Sequence, residues 1–121
     1  MRKCLRNLVA AAILLLIGGT APALAHAVIV SATPTADQHV PAGKLAIRLE
    51  FNSRIDKARS RLQVTAQGDD KADVPIDPAG EPNVLTASTR DLKPGAYVLR
   101  WQVLAVDGHI TRGDIPFVVG N

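Results

Sequence analysis

Asp107, Gly108 and His109 form a short Asp-Gly-His run directly after a long apolar stretch. In an extended chain, residues two apart project to the same side, so this carboxylate and this imidazole share one face. Side by side, such groups are a pair of metal donors. A third candidate, His26, follows Ala23-Leu24-Ala25, the small-residue pattern at which a signal peptidase cuts. Cleavage there makes His26 the first residue of the mature protein, with a free α-amine next to its imidazole. One amine, two imidazoles and one carboxylate supply three nitrogens and one oxygen. That set suits tetragonal Cu(II), with Ni(II) as the chemical competitor. Zn(II) accepts the same atoms but prefers a tetrahedral cage. The amine must shed its proton to bind, so affinity weakens as pH falls. A plainer alternative stands beside this one: Asp-Gly closes an ordinary turn, and His109 is simply exposed. Spacing leaves both open.

The elements that must position these residues begin after a targeting segment. Arg2, Lys3 and Arg6 precede an apolar run from Leu8 to Ile17, and Gly18, Gly19 and Pro22 then break it. The run is too short for a membrane span, which needs roughly 20 apolar residues. Residues 1–25 are therefore expected to be a cleaved signal peptide, and residues 26–121 a single domain. The whole chain holds 14 Lys+Arg and 11 Asp+Glu, but three of the basic residues fall in the leader, so the mature part is expected to carry no net charge. That balance gives no support to nucleic-acid binding or to an anionic membrane surface. The only cysteine, Cys4, and the only methionine, Met1, also lie in the leader. Disulfides and sulfur-bound metals are thereby excluded from the mature domain, which must be held by burial.

Along that domain, β-branched residues open a first strand at 26–31, and a loop with Pro34, Pro41 and Gly43 follows. Residues 45–51 alternate, with Leu45, Ile47, Leu49 and Phe51 on one face. Residues 52–60 read as polar and irregular, with Ile55 tucked inward. Further strands are expected at 61–66, 72–76, 84–87, 96–106 and 114–119, that at 72–76 on an edge because of Pro75. No stretch has helical periodicity over ten residues. About seven short strands between Pro and Gly turns predict an all-β Greek-key sandwich, with an eight-stranded barrel as the alternative. Trp101 and Tyr97 are expected in its core. His39 has no partner at metal spacing and is expected to face solvent. Arg54, Lys57, Arg59 and Arg61, mixed with Asp56, read as a solvated face.

The mature start His-Ala-Val-Ile-Val-Ser-Ala-Thr-Pro (26–34) resembles the opening of the CopC-type periplasmic copper-resistance proteins. Residues 45–51, 92–101 and Val-Asp-Gly-His-Ile-Thr-Arg-Gly (106–113), with Phe117, resemble that family too. The resemblance implies a cupredoxin-like, immunoglobulin-like β-sandwich that binds one Cu(II) per mature chain. Its ligands would be the amine and imidazole of His26 with Asp107 and His109. It further implies a binding protein of the periplasm, not an enzyme, that sequesters copper or hands it to an inner-membrane copper transporter. A monomer is expected. There are two departures from the family pattern. Some members hold Cu(I) in a methionine-rich loop, which this chain lacks, and members often place a glutamate just after the phenylalanine of the second strand, where this chain has Asn52. Two other readings remain: a small copper oxidase with a histidine-brace-like site, as in lytic polysaccharide monooxygenases, and a sandwich that recognises a protein partner without metal.

Overall fold

Alternation decides the architecture. In β7 (Gly95–Ala105), Tyr97, Leu99, Trp101, Val103 and Ala105 are buried, while the residues between them are exposed or half-buried. The same period-two pattern buries Ile47, Leu49 and Phe51 of β3 (Gly43–Phe51) and Ile115, Phe117 and Val119 of β8 (Ile110–Val119). The computed structural model describes residues 27–67 and 71–120. His26 and the expected signal peptide lie outside the described residues. Within them, the chain forms eight strands and no helix. The remaining strands are β1 (Ile29–Thr33), β2 (Gln38–Val40), β4 (Ile55–Ala66), β5 (Ala72–Val74) and β6 (Val84–Leu92).

Two sheets pack face to face. One has the order β1-β3-β6 and the other β2-β8-β7-β4-β5. Their apolar inner faces form one core, in which burial supplies the driving force for folding. Phe51 meets Trp101 edge-on at 5.5 Å between ring centroids, linking the sheets. Tyr97 stacks on Phe117 at 5.6 Å, and its hydroxyl donates to the Lys93 carbonyl at 2.7 Å, so the polar end of a buried ring is satisfied. Trp101 also explains a glycine. Gly113 pairs with it across β7 and β8, and a Cβ there would lie 2.6 Å from the indole.

The sandwich and the core placement of Trp101 and Tyr97 match the expectation from sequence. The strand list is longer than expected. β2, inside the expected loop, runs parallel to β8 for three residues. β4 begins at Ile55, not Arg61, because a register shift between Asp56 and Arg61 lets side chains complete the ladder. There the Ser60 hydroxyl donates to the Asp56 carbonyl at 2.7 Å and accepts the Leu104 N–H at 3.2 Å. β6 continues to Leu92 for a similar reason. Buried Thr89 accepts the Leu45 N–H at 3.0 Å beside the bulge in β3. β8 starts at Ile110, drawn in by pairing with Leu104.

Candidate metal centre

The β7–β8 hairpin places the Asp-Gly-His run at one end of the sandwich. Ala105 donates its N–H to the His109 carbonyl, and Gly108 donates its own to the Ala105 carbonyl, both at 2.9 Å. Gly108 takes φ +91°, a left-handed conformation that glycine reaches without the steric cost of a Cβ. The tight turn folds Asp107 back on His109. One carboxylate oxygen, Oδ1, accepts the His109 N–H at 3.1 Å, while Oδ2 lies 3.1 Å from the imidazole Nδ1. Both side chains are partly exposed, at 41% for the histidine and 35% for the aspartate, while the His109 Nδ1 atom itself is buried against the turn.

This pair fits a transition metal. Two donors 3.1 Å apart, on bonds of about 2.0–2.1 Å, subtend roughly 100° at a shared ion, the relation of neighbouring ligands. Among the described residues, no group of three or more His, Cys, Asp or Glu side chains could hold a metal ion. A metal site built on Asp107 and His109 would therefore need a further donor from outside those residues. His26 is the residue the sequence nominates, and it lies next to the first described position.

The connector at residues 52–55 links the first described residues to the hairpin. Val28 donates its N–H to Asn52 Oδ1 at 2.8 Å, and Asn52 returns its own N–H to the Val28 carbonyl at 3.0 Å. Two residues on, the Arg54 carbonyl accepts the Val106 N–H at 3.2 Å, and Ile55 pairs with Ala105. Ala27 is buried in the core, which fixes the direction of the chain before Val28. Thus Ala27-Val28 and residues 106–109 occupy the same end, held by one short connector. Asn52 is a positioning residue of the first strand that motif reading left without a role. It stands where the family often has glutamate, and its amide clamps the first strand. Two buried hydroxyls nearby, Ser53 Oγ and Thr111 Oγ1, have no hydrogen-bond partner among the described residues.

His39 is elsewhere. It pairs with Val118 near the far end of β8 and is exposed, as its sequence context predicts. The resolved electrostatic feature lies on the outer face of β7 and β8. Arg100 Nε and Nη2 donate to the two oxygens of Asp114 at 2.9 and 3.3 Å. This hydrogen-bonded fork holds the Asp114 carboxyl below its usual range and raises the Arg100 guanidinium further above its own.

The CopC domain family model matches residues 29–120. The crystal structure of CopC from Methylosinus trichosporium OB3b superposes with a TM-score of 0.72 at 29% identity, over 78% of this chain and 93% of that one. PcoC, described as a methionine-rich copper resistance protein from Escherichia coli, gives a TM-score of 0.68 at 25% identity, over 79% of this chain and all of its own. The copper transport protein CutJ of Bacillus subtilis is 25% identical over 100 residues, which span 80% of this chain and 18% of CutJ.

Proposed function

The chain belongs to the CopC family, and from that premise we propose that it binds Cu(II) at the hairpin end of the sandwich. In this reading residues 1–25 are removed, and His26 becomes the mature N-terminus. Its amine and imidazole join Asp107 and His109 around a single copper ion per chain. The observation that carries the reading is the shared end: Asp107 and His109 hold two donors 3.1 Å apart, and Asn52 pins the chain beside the position of His26. A six-membered chelate through the amine and imidazole of the terminal residue offsets much of the entropy lost in ordering a chain end. The protein then works in the periplasm as a copper carrier rather than as an enzyme. It sequesters Cu(II) or passes it to an inner-membrane transporter, a role supported by the named functions of PcoC and CutJ. With no methionine after Met1, it has none of the thioether donors that a methionine-rich relative offers to Cu(I).

Copper titration of the processed protein beside a form carrying one extra residue before His26 tests this. The processed protein should take up one Cu(II) with a tetragonal EPR spectrum and nitrogen couplings. The extended form should bind at least about 100-fold more weakly, since the chelating amine has moved away. Equal affinity in the two forms would remove His26 from the site.

A further inference from the structure

The outer face of the five-stranded sheet carries a pattern that copper ligation does not use. Its cross-strand register sets out rows that lead away from the copper turn. Leu104 stands beside Ile110, and the next row is Arg61, Gln102 and Arg112 across β4, β7 and β8. The row after that is Gln63, Arg100 and Asp114. Strands lie about 4.8 Å apart, so the Cα atoms of Arg61 and Arg112 are roughly 10 Å apart with an amide between them. Arg100 is engaged by Asp114, and Gln63 Nε2 donates to Asp73 at 2.9 Å. Among the described residues, Arg61 and Arg112 make no ion pair, and the neighbouring Lys71 acts on the Asp114 carboxylate only through space. These three cations line an open depression of about 510 Å³. On its copper side are Val106 and Ile110, 66% and 55% exposed, two of the four large hydrophobics that the described residues expose.

We propose that this face docks an acidic, aliphatic-flanked segment of the protein that exchanges copper with the domain. It rests on the copper reading above. Carboxylates of the partner meet the guanidinium forks of Arg61 and Arg112, which suit them geometrically, and its aliphatic side chains cover Val106 and Ile110. Charge complementarity points to an acidic protein rather than a bilayer. Three cations fall short of the basic clusters that hold proteins to anionic lipid, and the mature domain has no net charge to add. Continuity with the metal site sets the partner's task, because Arg112 lies three residues beyond His109, roughly 10 Å along the strand. Two exposed aliphatic side chains beside one open polar depression make a small contact, which suits brief engagement during transfer rather than a second copy of the chain.

The test uses the processed protein and a short capped peptide alternating glutamate and leucine. Peptide binding is followed by amide chemical shifts in the copper-free protein and by calorimetry in both forms. Shift changes should centre on Arg61, Gln102, Ile110 and Arg112 and fade with salt. The Arg61→Ala/Arg112→Ala double variant should lose at least about tenfold in peptide affinity, and so should a peptide with glutamine in place of glutamate. Absence of binding, equal binding of the glutamine peptide, an unaffected double variant or shifts elsewhere would each overturn the proposal. So would binding of phosphatidylglycerol vesicles through the same arginines. Copper titration of the double variant separates the two readings. Retained Cu(II) binding leaves the copper site standing whatever the peptide does, whereas failure of the unaltered protein to bind Cu(II) sinks the site itself.

Discussion

The two ends of β8 each bring a histidine to the surface, and they differ in what surrounds it. His109 precedes the strand in a turn where an aspartate two residues earlier accepts its backbone N–H and lies 3.1 Å from its ring nitrogen. His39 pairs with Val118 near the opposite end, about 27 Å away along the strand, in surroundings of Val40, Pro41, Ala42, Pro94 and Gly120. Each end is closed by a glycine at positive φ: Gly108 at +91° and Gly120 at +87°. The glycines do different jobs. A Cβ on Gly108 would meet no atom within 4 Å, so the residue serves backbone shape alone. A Cβ on Gly120 would lie 2.8 Å from Pro94, so that glycine serves packing. Exposure and turn chemistry are thus common to both ends. A carboxylate 3.1 Å from the ring nitrogen and a first strand tethered by Asn52 mark only one of them.

The sharpest way to break this contrast is to remove each imidazole. His109→Ala should weaken Cu(II) binding by at least about 100-fold, and His39→Ala should leave it unchanged, as read by competition with a chelator of known affinity. Similar losses in both variants would abolish the distinction between the ends.

The glycines sharpen it next. Gly108→Ala should cost about 1–3 kcal/mol through backbone strain and lower copper affinity together, because the turn that folds Asp107 onto His109 relaxes. Gly120→Ala should cost at least as much stability, with a clash added to the strain, yet leave copper affinity alone. Denaturant unfolding and copper titration of both variants check the pairing.

Asn52→Ala comes third. Losing the acceptor for the Val28 N–H should cost about 0.5–1.5 kcal/mol. It should also loosen the chain start, so that hydrogen exchange at Val28 rises and copper binds more weakly. Asn52→Asp keeps the acceptor and should preserve most of both.

The smallest effect is expected on the sheet face between the ends. The Asp114 carboxyl is held below its unfolded range by Arg100, so the stability it contributes is present above the unfolded value, near about 4, and is lost as pH falls through the lower folded value. Asp114→Asn should therefore be slightly less stable than the parent at neutral pH, by the small margin of an exposed pair. That difference should vanish in acid, as thermal melts across pH will show.

Much of this was legible in the chain because local pattern was enough. Leu45 to Phe51 and Tyr97 to Ala105 alternate with period two, so their inward faces could be read one residue at a time. That Asp107 and His109 lie side by side could be read from their two-residue spacing. What escaped reading was non-local. Ser60 and Thr89 sit in polar stretches that look like loops, yet their hydroxyls fill gaps in ladders whose partners lie 44 residues away. β2 has too few residues to show any period and exists through β8. Asn52 gains its role from Val28, 24 residues earlier. No window around Asn52 contains that bond.

The contact between Trp101 and Gly113 has an optical consequence. The chain has one tryptophan, and its indole lies between Phe51 and the glycine of β8. Trp101 is four residues from Ala105, so its ring sits about 13 Å along β7 from the foot of the copper turn. Paramagnetic Cu(II) at the turn would be close enough to quench the indole emission. The unlabelled molecule then signals its own loading by light, and the rates of copper arrival and departure can be followed in one cuvette.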